Sequence, residues 1–371
     1  MILGSRHFNR HEGYASEIWD EKLLHDIIPD LPAFDLMHIY RLTNQVGILQ
    51  HAKYSTPNYH HGYCLDDNAR ALLLVVMAHE KKPSVHLEQL ISTYLAYLYY
   101  MQLGNGKFRN FLSFDHVFLD EEGTEDSFGR TIWGLGYLLK TSQQAQFHPL
   151  VQELFRPALR HINTLRSLRA VAYSLLGLMY YATSYPKDEE VQEIIEQMAH
   201  YMLDEYQKAS SPNWPWYEKI VSYDNAILPL SILRAACTLQ DNTLLDVGRQ
   251  SAYFLDSLYF EREHLSVIGN ESWFIQGSTR SRFGQQPIEL PSTILLYKQL
   301  YEITGEEKYL DKMLTSFRWF FGANELGLSL YDPQSKGCCD GLDSHGINRN
   351  QGAESTISFW LSYLYSCYGF C

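Results

Sequence analysis

The 371-residue sequence predicts an all-α (α/α)6 toroid, six inner helices ringed by six outer ones, and three observations point to it. A polar or acidic cluster runs into a small-residue-rich apolar helix six times, at intervals of roughly 40 to 66 residues. More amphipathic segments with charged faces alternate with these six. Helices apolar nearly all round belong inside, and those with a charged stripe belong outside. The connectors leading from outer to inner segments are long and rich in Gly and aromatics, as functional loops in compact domains often are.

The inner segments begin near Asp66 (DDNARALLLVV), Glu125 (EDSFGRTIWGLGYLL), Arg166 (RSLRAVAYSLLGLMYY), Asp224 (DNAILPLSILRAA), Gln286 (QPIELPSTILLYKQLY) and Gly352 (GAESTISFWLSYLY). Outer helices are expected at 85–102, 188–208, 243–260 and 306–321, with 34–43 partnering the last inner one. The long connectors are 104–113, 212–223, 269–285 and 326–350. Inner helices in such an alternation run parallel, so their N-termini and acidic clusters gather at one end. Pro229 and Pro291 fit only a first helical turn, which places Asp224, Asn225 and Glu289 at or just before helix starts. Residues 16–371 form one toroid domain in this reading, and residues 1–15 a loose arm.

Composition narrows the function. A net charge of -13 argues against a nucleic-acid partner, which needs clustered Lys and Arg. No segment has the apolar length of a membrane span or a secretory signal, so a cytoplasmic location without membrane contact is expected. Cys64, Cys237, Cys338, Cys339, Cys367 and Cys371 form no C-x-x-C pair and read as reduced thiols. Aromatic residues reach 14%, with 27 Tyr and 7 Trp, which suits a cleft that stacks on sugar rings. Strings for nucleotide cradles, zincin sites and nucleophile elbows are missing, and neither a metal nor an organic cofactor is expected. The His7/His11 pair lies in the arm, and His60, His61 and His345 lie near, not at, the inner-helix starts.

The candidate catalytic groups are Asp67 and Asp126 first, then Asp66 and Asp224, because glycosidic bond hydrolysis needs an acid and a second carboxylate. An N-cap role could explain one residue of Asp66-Asp67-Asn68 but not two adjacent carboxylates. Candidate substrate-binding residues are Asn68, Glu125, Arg130, Trp214, Trp216, Tyr223, Asn225, Trp273, Gln286, Glu289, Asn350, Gln351 and Glu354. Their amides offer both donors and acceptors, which matches a neutral polyol. Trp214-Pro215-Trp216-Tyr217 and Trp273 are candidate stacking walls, whereas Trp133, Trp319 and Trp360 read as core.

The strings at 64–72, 125–136, 214–229, 285–289, 330–341 and 348–358 resemble a family of bacterial (α/α)6 proteins often labelled glycosyltransferase and associated with mannoside phosphorylases. The likeness runs from about residue 39 onward and implies sugar metabolism. Asp66-Asp67 also resembles the paired aspartates of α-1,6-mannanase toroids, where one acts as nucleophile and the other as acid/base. The expectation is a glycoside hydrolase on a small, mannose-containing oligosaccharide. A non-catalytic sugar-binding module and a sugar epimerase or isomerase are the alternatives.

Overall fold

The computed structural model describes residue 28 and residues 31–368. The arm at 1–15, with His7 and His11, lies outside the described residues, as does Cys371. Twelve helices are found among those described: α1 (Met37–Leu42), α2 (Leu65–Lys81), α3 (Val85–Met101), α4 (Glu125–Lys140), α5 (His148–Ile162), α6 (Leu168–Ser184), α7 (Glu189–Ala209), α8 (Ile227–Leu239), α9 (Asn242–Tyr259), α10 (Glu289–Thr304), α11 (Lys308–Arg318) and α12 (Ala353–Tyr368). The even-numbered helices pack in the order α2, α4, α6, α8, α10, α12 and back onto α2, closing a ring. Each also carries one outer partner, α3, α5, α7, α9, α11 and α1 respectively. The fold is the (α/α)6 toroid.

Burial explains the two layers. Along α6 every residue from Leu168 to Ala182 is buried, as a helix surrounded on all sides requires. On α7 only one face is buried, from Val191 and Ile194 through Met202 to Tyr206. The closest inner contact is between α4 and α6, where a Cβ on Gly136 would stand 2.1 Å from the Gly177 carbonyl oxygen, and one on Gly177 would stand 2.3 Å from that of Ile132. Only glycine lets these backbones approach so far.

Two boundaries differ from the sequence reading. Helix α11 stops at Arg318 instead of 321, because the chain turns there into a long connector. Helix α5, absent from the expected outer set, carries Pro157 in its interior, which masks its helical pattern. Pro229 and Pro291 each occupy the third position of their helix, as expected.

The connectors set the polarity of the ring. Inner-to-outer links are short, such as 82–84 and 305–307, whereas outer-to-inner links run through 102–124, 210–226, 260–288 and 319–352. Two-stranded ribbons tie neighbouring links together: β1 (Tyr63–Cys64) pairs antiparallel with β2 (Phe111–Leu112), and β3 (Ile220–Val221) with β4 (Phe274–Ile275). All of this irregular chain lies at the N-terminal end of the inner helices, forming a mouth. No described helix is long and apolar enough to cross a membrane.

Candidate active site

The acidic residues at the mouth are not helix caps. Cys64 caps α2, its sulfur accepting from the Asp67 backbone N–H, so Asp66, Asp67 and Asn68 fall inside the first turn. Thr124 caps α4 and Ser167 caps α6 in the same way. The carboxylates are thereby released for side-chain chemistry.

One continuous polar network joins all six inner helices. Arg70 Nη2 of α2 lies 2.9 Å from Glu354 Oε2 of α12, 2.8 Å from Asp67 Oδ1 and 3.5 Å from Asp66 Oδ2. Arg130 of α4 places Nε 2.8 Å from Asp66 Oδ1, and its Nη2 donates to the Tyr173 hydroxyl of α6 at 2.6 Å. Tyr173 donates in turn to Asp224 Oδ2 at 2.5 Å, just before α8. Ser292 of α10 donates to the other Asp224 oxygen, and Glu289 Oε1 accepts the Asp224 backbone N–H at 2.6 Å. Arg130 Nε and Asp66 Oδ1 are close enough to attract but lack hydrogen-bond alignment, so the pairing is Coulombic and both atoms keep bonding capacity.

Asp66 and Asp67 thus do different things. Asp67 is buried behind Arg70 and holds it, while Asp66 keeps a side chain 26% exposed. Burial pushes the Asp67 carboxyl up to about 7 against the pull of Arg70, with Glu354 and Asp66 adding to the rise. Burial likewise raises Glu289 to about 7, reinforced by Asp224. Asp126 is partly exposed and receives hydrogen bonds from Ser167 Oγ, at 2.6 Å, and from the Tyr223 hydroxyl. It makes no ion pair among the described residues, unlike Asp66 between its two guanidiniums.

Asp224 sits at φ 43°, a left-handed conformation uncommon for a side chain that is neither Gly nor Asn. Arg169 of α6 holds the approach to it, donating to the Tyr223 carbonyl at 2.5 Å, to Glu218 at 2.8 Å and to Ser222 at 2.8 Å. Its guanidinium also lies 4.5 Å from the centre of the Tyr223 ring.

Several expected substrate contacts are corrected. Trp214 and Trp216 are buried, each donating its indole N–H to a carbonyl of its own connector, Glu218 and Ile220, so they brace the loop and offer no stacking wall. Trp273 remains partly exposed at φ 55°, its ring 6.2 Å from that of Tyr223. Asn68 is fully buried and bonded to Ile48 and Cys64, and Asn225 to Ser222 and Glu289. Glu125 accepts the backbone N–H groups of Arg166 and Ser167, and Gln351 is buried against Asp332 and Ser335. Asn350 accepts the Tyr54 N–H and joins two connectors, while Gln286 stays partly exposed at the start of α10.

The sequence reading missed Arg70, Tyr173, Ser292, Arg169 and His51. Arg70 had a signal, since it lies three and four residues beyond the two aspartates, the spacing of neighbours on a helix face. Tyr173 and Ser292 sit inside apolar runs with nothing to mark them. His51 packs edge-on to His61 with ring centres 4.6 Å apart, directly after Gln50, whose carbonyl accepts the Ala353 N–H that opens α12. A shallow hollow lined by Arg156, Tyr181, Tyr185 and Asp188 lies at the other end of the ring, with its acid engaged by Arg156.

Comparison with known proteins bears on the fold. Neither a protein-family model nor a curated protein matches the sequence. Among solved structures, a sugar epimerase from a ruminal bacterium superposes with TM-score 0.72 at 11% identity, covering 92% of this chain and 98% of that one. Cellobiose 2-epimerase from Bacillus thermoamylovorans gives 0.72 at 10% identity, covering 92% and 99%. An α-1,6-mannanase from Salegentibacter, in an inactive form with two aspartates changed to alanine and bound to α-1,6-mannotetrose, gives 0.59 at 12% identity, covering 90% and 97%. At such identities the likeness is one of architecture.

Proposed function

We propose that this protein is a carbohydrate-active enzyme that hydrolyses a glycosidic bond in a neutral oligosaccharide, with Asp66 and Asp126 as the working pair. The observation that carries the reading is the polar network at the mouth, in which Asp66, Asp126 and Glu354 remain partly exposed while Asp67, Asp224 and Glu289 are buried behind them. The activities of the structural neighbours, sugar epimerases and a mannanase, support the same substrate class.

Hydrolysis breaks the bond between the anomeric carbon and the leaving oxygen, gives that oxygen a proton, and joins a water oxygen to the carbon. Asp66, flanked by Arg70 and Arg130, suits the carboxylate that faces positive charge developing at the anomeric carbon. Asp126, whose partners are hydroxyls, suits the group that exchanges a proton. The carboxylates outnumber the two guanidiniums, which disfavours an anionic substrate.

A second reading, sugar epimerisation or isomerisation, is favoured by the His51/His61 pair at the mouth, since an imidazole can take a proton from carbon and return it. Incubating manno- and gluco-oligosaccharides with the protein in D2O separates the readings. Released sugar, lost in Asp66→Asn and Asp126→Asn, supports hydrolysis. Deuterium entering a carbon beside the carbonyl without release, lost in His51→Asn, supports epimerisation. Calorimetric binding with neither outcome makes the protein a sugar-binding module.

A further inference from the structure

The ring is closed at the end opposite the mouth. On α4, Arg130, Trp133 and Tyr137 follow each other at spacings of three and four residues, so one stripe of the helix leads from the mouth to the far end. There Tyr137 donates to Glu80 of α2 at 2.6 Å and meets the Tyr180 ring of α6 edge-on at 4.9 Å. Arg234 of α8 donates to the Tyr180 hydroxyl at 2.8 Å and to Gln299 of α10 at 3.2 Å. Tyr365 of α12 is buried within electrostatic reach of Tyr180 and Arg234. Side chains from all six inner helices therefore fill that end.

Along this stripe and beside it several buried N–H groups have no hydrogen-bond partner among the described residues. The Trp133 ring stacks nearly parallel to Tyr173, with centres 5.9 Å apart, and its indole N–H makes no hydrogen bond there, nor do Arg70 Nε and Nη1. Trp133, Arg70 and Arg130 are each only 5–6% exposed. An N–H buried without an acceptor costs about 1–3 kcal/mol, so three in one region mark a place for acceptor oxygens. Asp66 Oδ1, held by Arg130 Nε without hydrogen-bond alignment, adds an acceptor beside them. A hydroxyl can accept from Arg and donate to Asp at once, which fits a sugar better than an ion.

We propose that the toroid is a blind-ended well that takes the terminal unit of a neutral saccharide, so that the protein works from chain ends and not on interior bonds. This rests on the carbohydrate reading above. A chain threaded through the ring would have to pass Tyr137, Tyr180 and Arg234, which the fold fills. Only an end can reach the donors of Arg70, Arg130 and Trp133.

Saturation-transfer NMR of the wild type with α-1,6-mannotetraose and with cellotetraose tests the inference without requiring turnover. The strongest transfer is expected on one terminal ring, with affinity about 3- to 10-fold weaker in Trp133→Phe, which keeps the ring stack and removes one N–H. Strongest transfer on interior rings, or unchanged affinity in Trp133→Phe, overturns the chain-end reading and leaves the carbohydrate site standing. No transfer to either tetrasaccharide or to the corresponding disaccharides removes the carbohydrate reading and this one with it.

Discussion

Asp66 and Asp67 are neighbours in the chain and separate in chemistry. Asp67 turns inward, where the Cys64 thiol donates to one of its oxygens at 3.1 Å and Arg70 to the other. Asp66 turns toward the mouth. Substituting Asn at either position removes a carboxyl group, but only Asp66→Asn removes one that substrate can reach. Turnover is expected to fall by at least about 100-fold in Asp66→Asn, as for loss of an electrostatic stabiliser, with substrate affinity reduced far less. Steady-state kinetics with separate kcat and KM measures this.

The buried acids also predict a pH dependence of stability. Asp67 and Glu289 hold their protons up to about 7 in the folded protein, from ordinary values of 3.8 and 4.5. A folded state that binds protons more tightly gains stability that is complete below the unfolded pKa and lost as pH rises through the folded one. Stability should therefore fall between about pH 4 and pH 7, by on the order of a few kcal/mol for each group. Glu289→Gln should flatten part of that fall, read as the denaturation midpoint across the same range. The raised values depend on burial, so they were invisible in the sequence, where Asp67 looked like the more promising member of the pair.

At the scale of elements, the helices were far more legible than the contents of the connectors. Apolar runs with small residues locate α2, α4, α6, α8, α10 and α12 because an inner helix must be buried on every side. The acidic starts Asp66, Asp126 and Asp224 converge because parallel inner helices leave their sequence clusters no other place to go. The connectors follow a different logic. Trp214-Pro215-Trp216-Tyr217 has the composition of a sugar platform, yet it spends its aromatics on Phe254 and Tyr206 to hold the loop in place. A linear pattern does not distinguish an indole facing solvent from one facing a neighbouring helix. The connector from α7 to α8 depends instead on Arg169, which fastens Tyr223 and the left-handed Asp224 from the first turn of α6. Arg169→Met should weaken sugar binding by roughly 10- to 100-fold, since hydrogen bonds to a charged group are worth about 1.5–3 kcal/mol each. Arg169→Lys should restore part of it, measured by titration calorimetry, because a single ammonium replaces only some of the guanidinium's donors.

For the molecule as a whole, the two ends of the ring divide stability from chemistry. At the mouth, Asp66, Asp67, Glu354 and Asp224 crowd Arg70 and Arg130, a surplus of negative charge within a chain already at -13. Self-repulsion of this kind destabilises the compact state, and sites arranged for function commonly carry such a cost. Removing one exposed acid should relieve it. At the closed end, Glu80, Tyr137, Tyr180, Arg234 and Gln299 join neighbouring helices through paired groups and hold no carboxylate aimed at a ligand. Opposite outcomes are therefore expected for substitutions at the two ends. Glu354→Gln should keep the urea midpoint or raise it while reducing turnover, because Arg70 retains Asp66 and Asp67 as partners. Tyr180→Phe should cost about 1 kcal/mol of stability and leave turnover within about twofold of wild type, since the lost hydroxyl accepts from Arg234 at the closed end, away from the mouth. Equal losses of turnover at both ends would mean that the closed end contributes to the site, and the division of labour would fail.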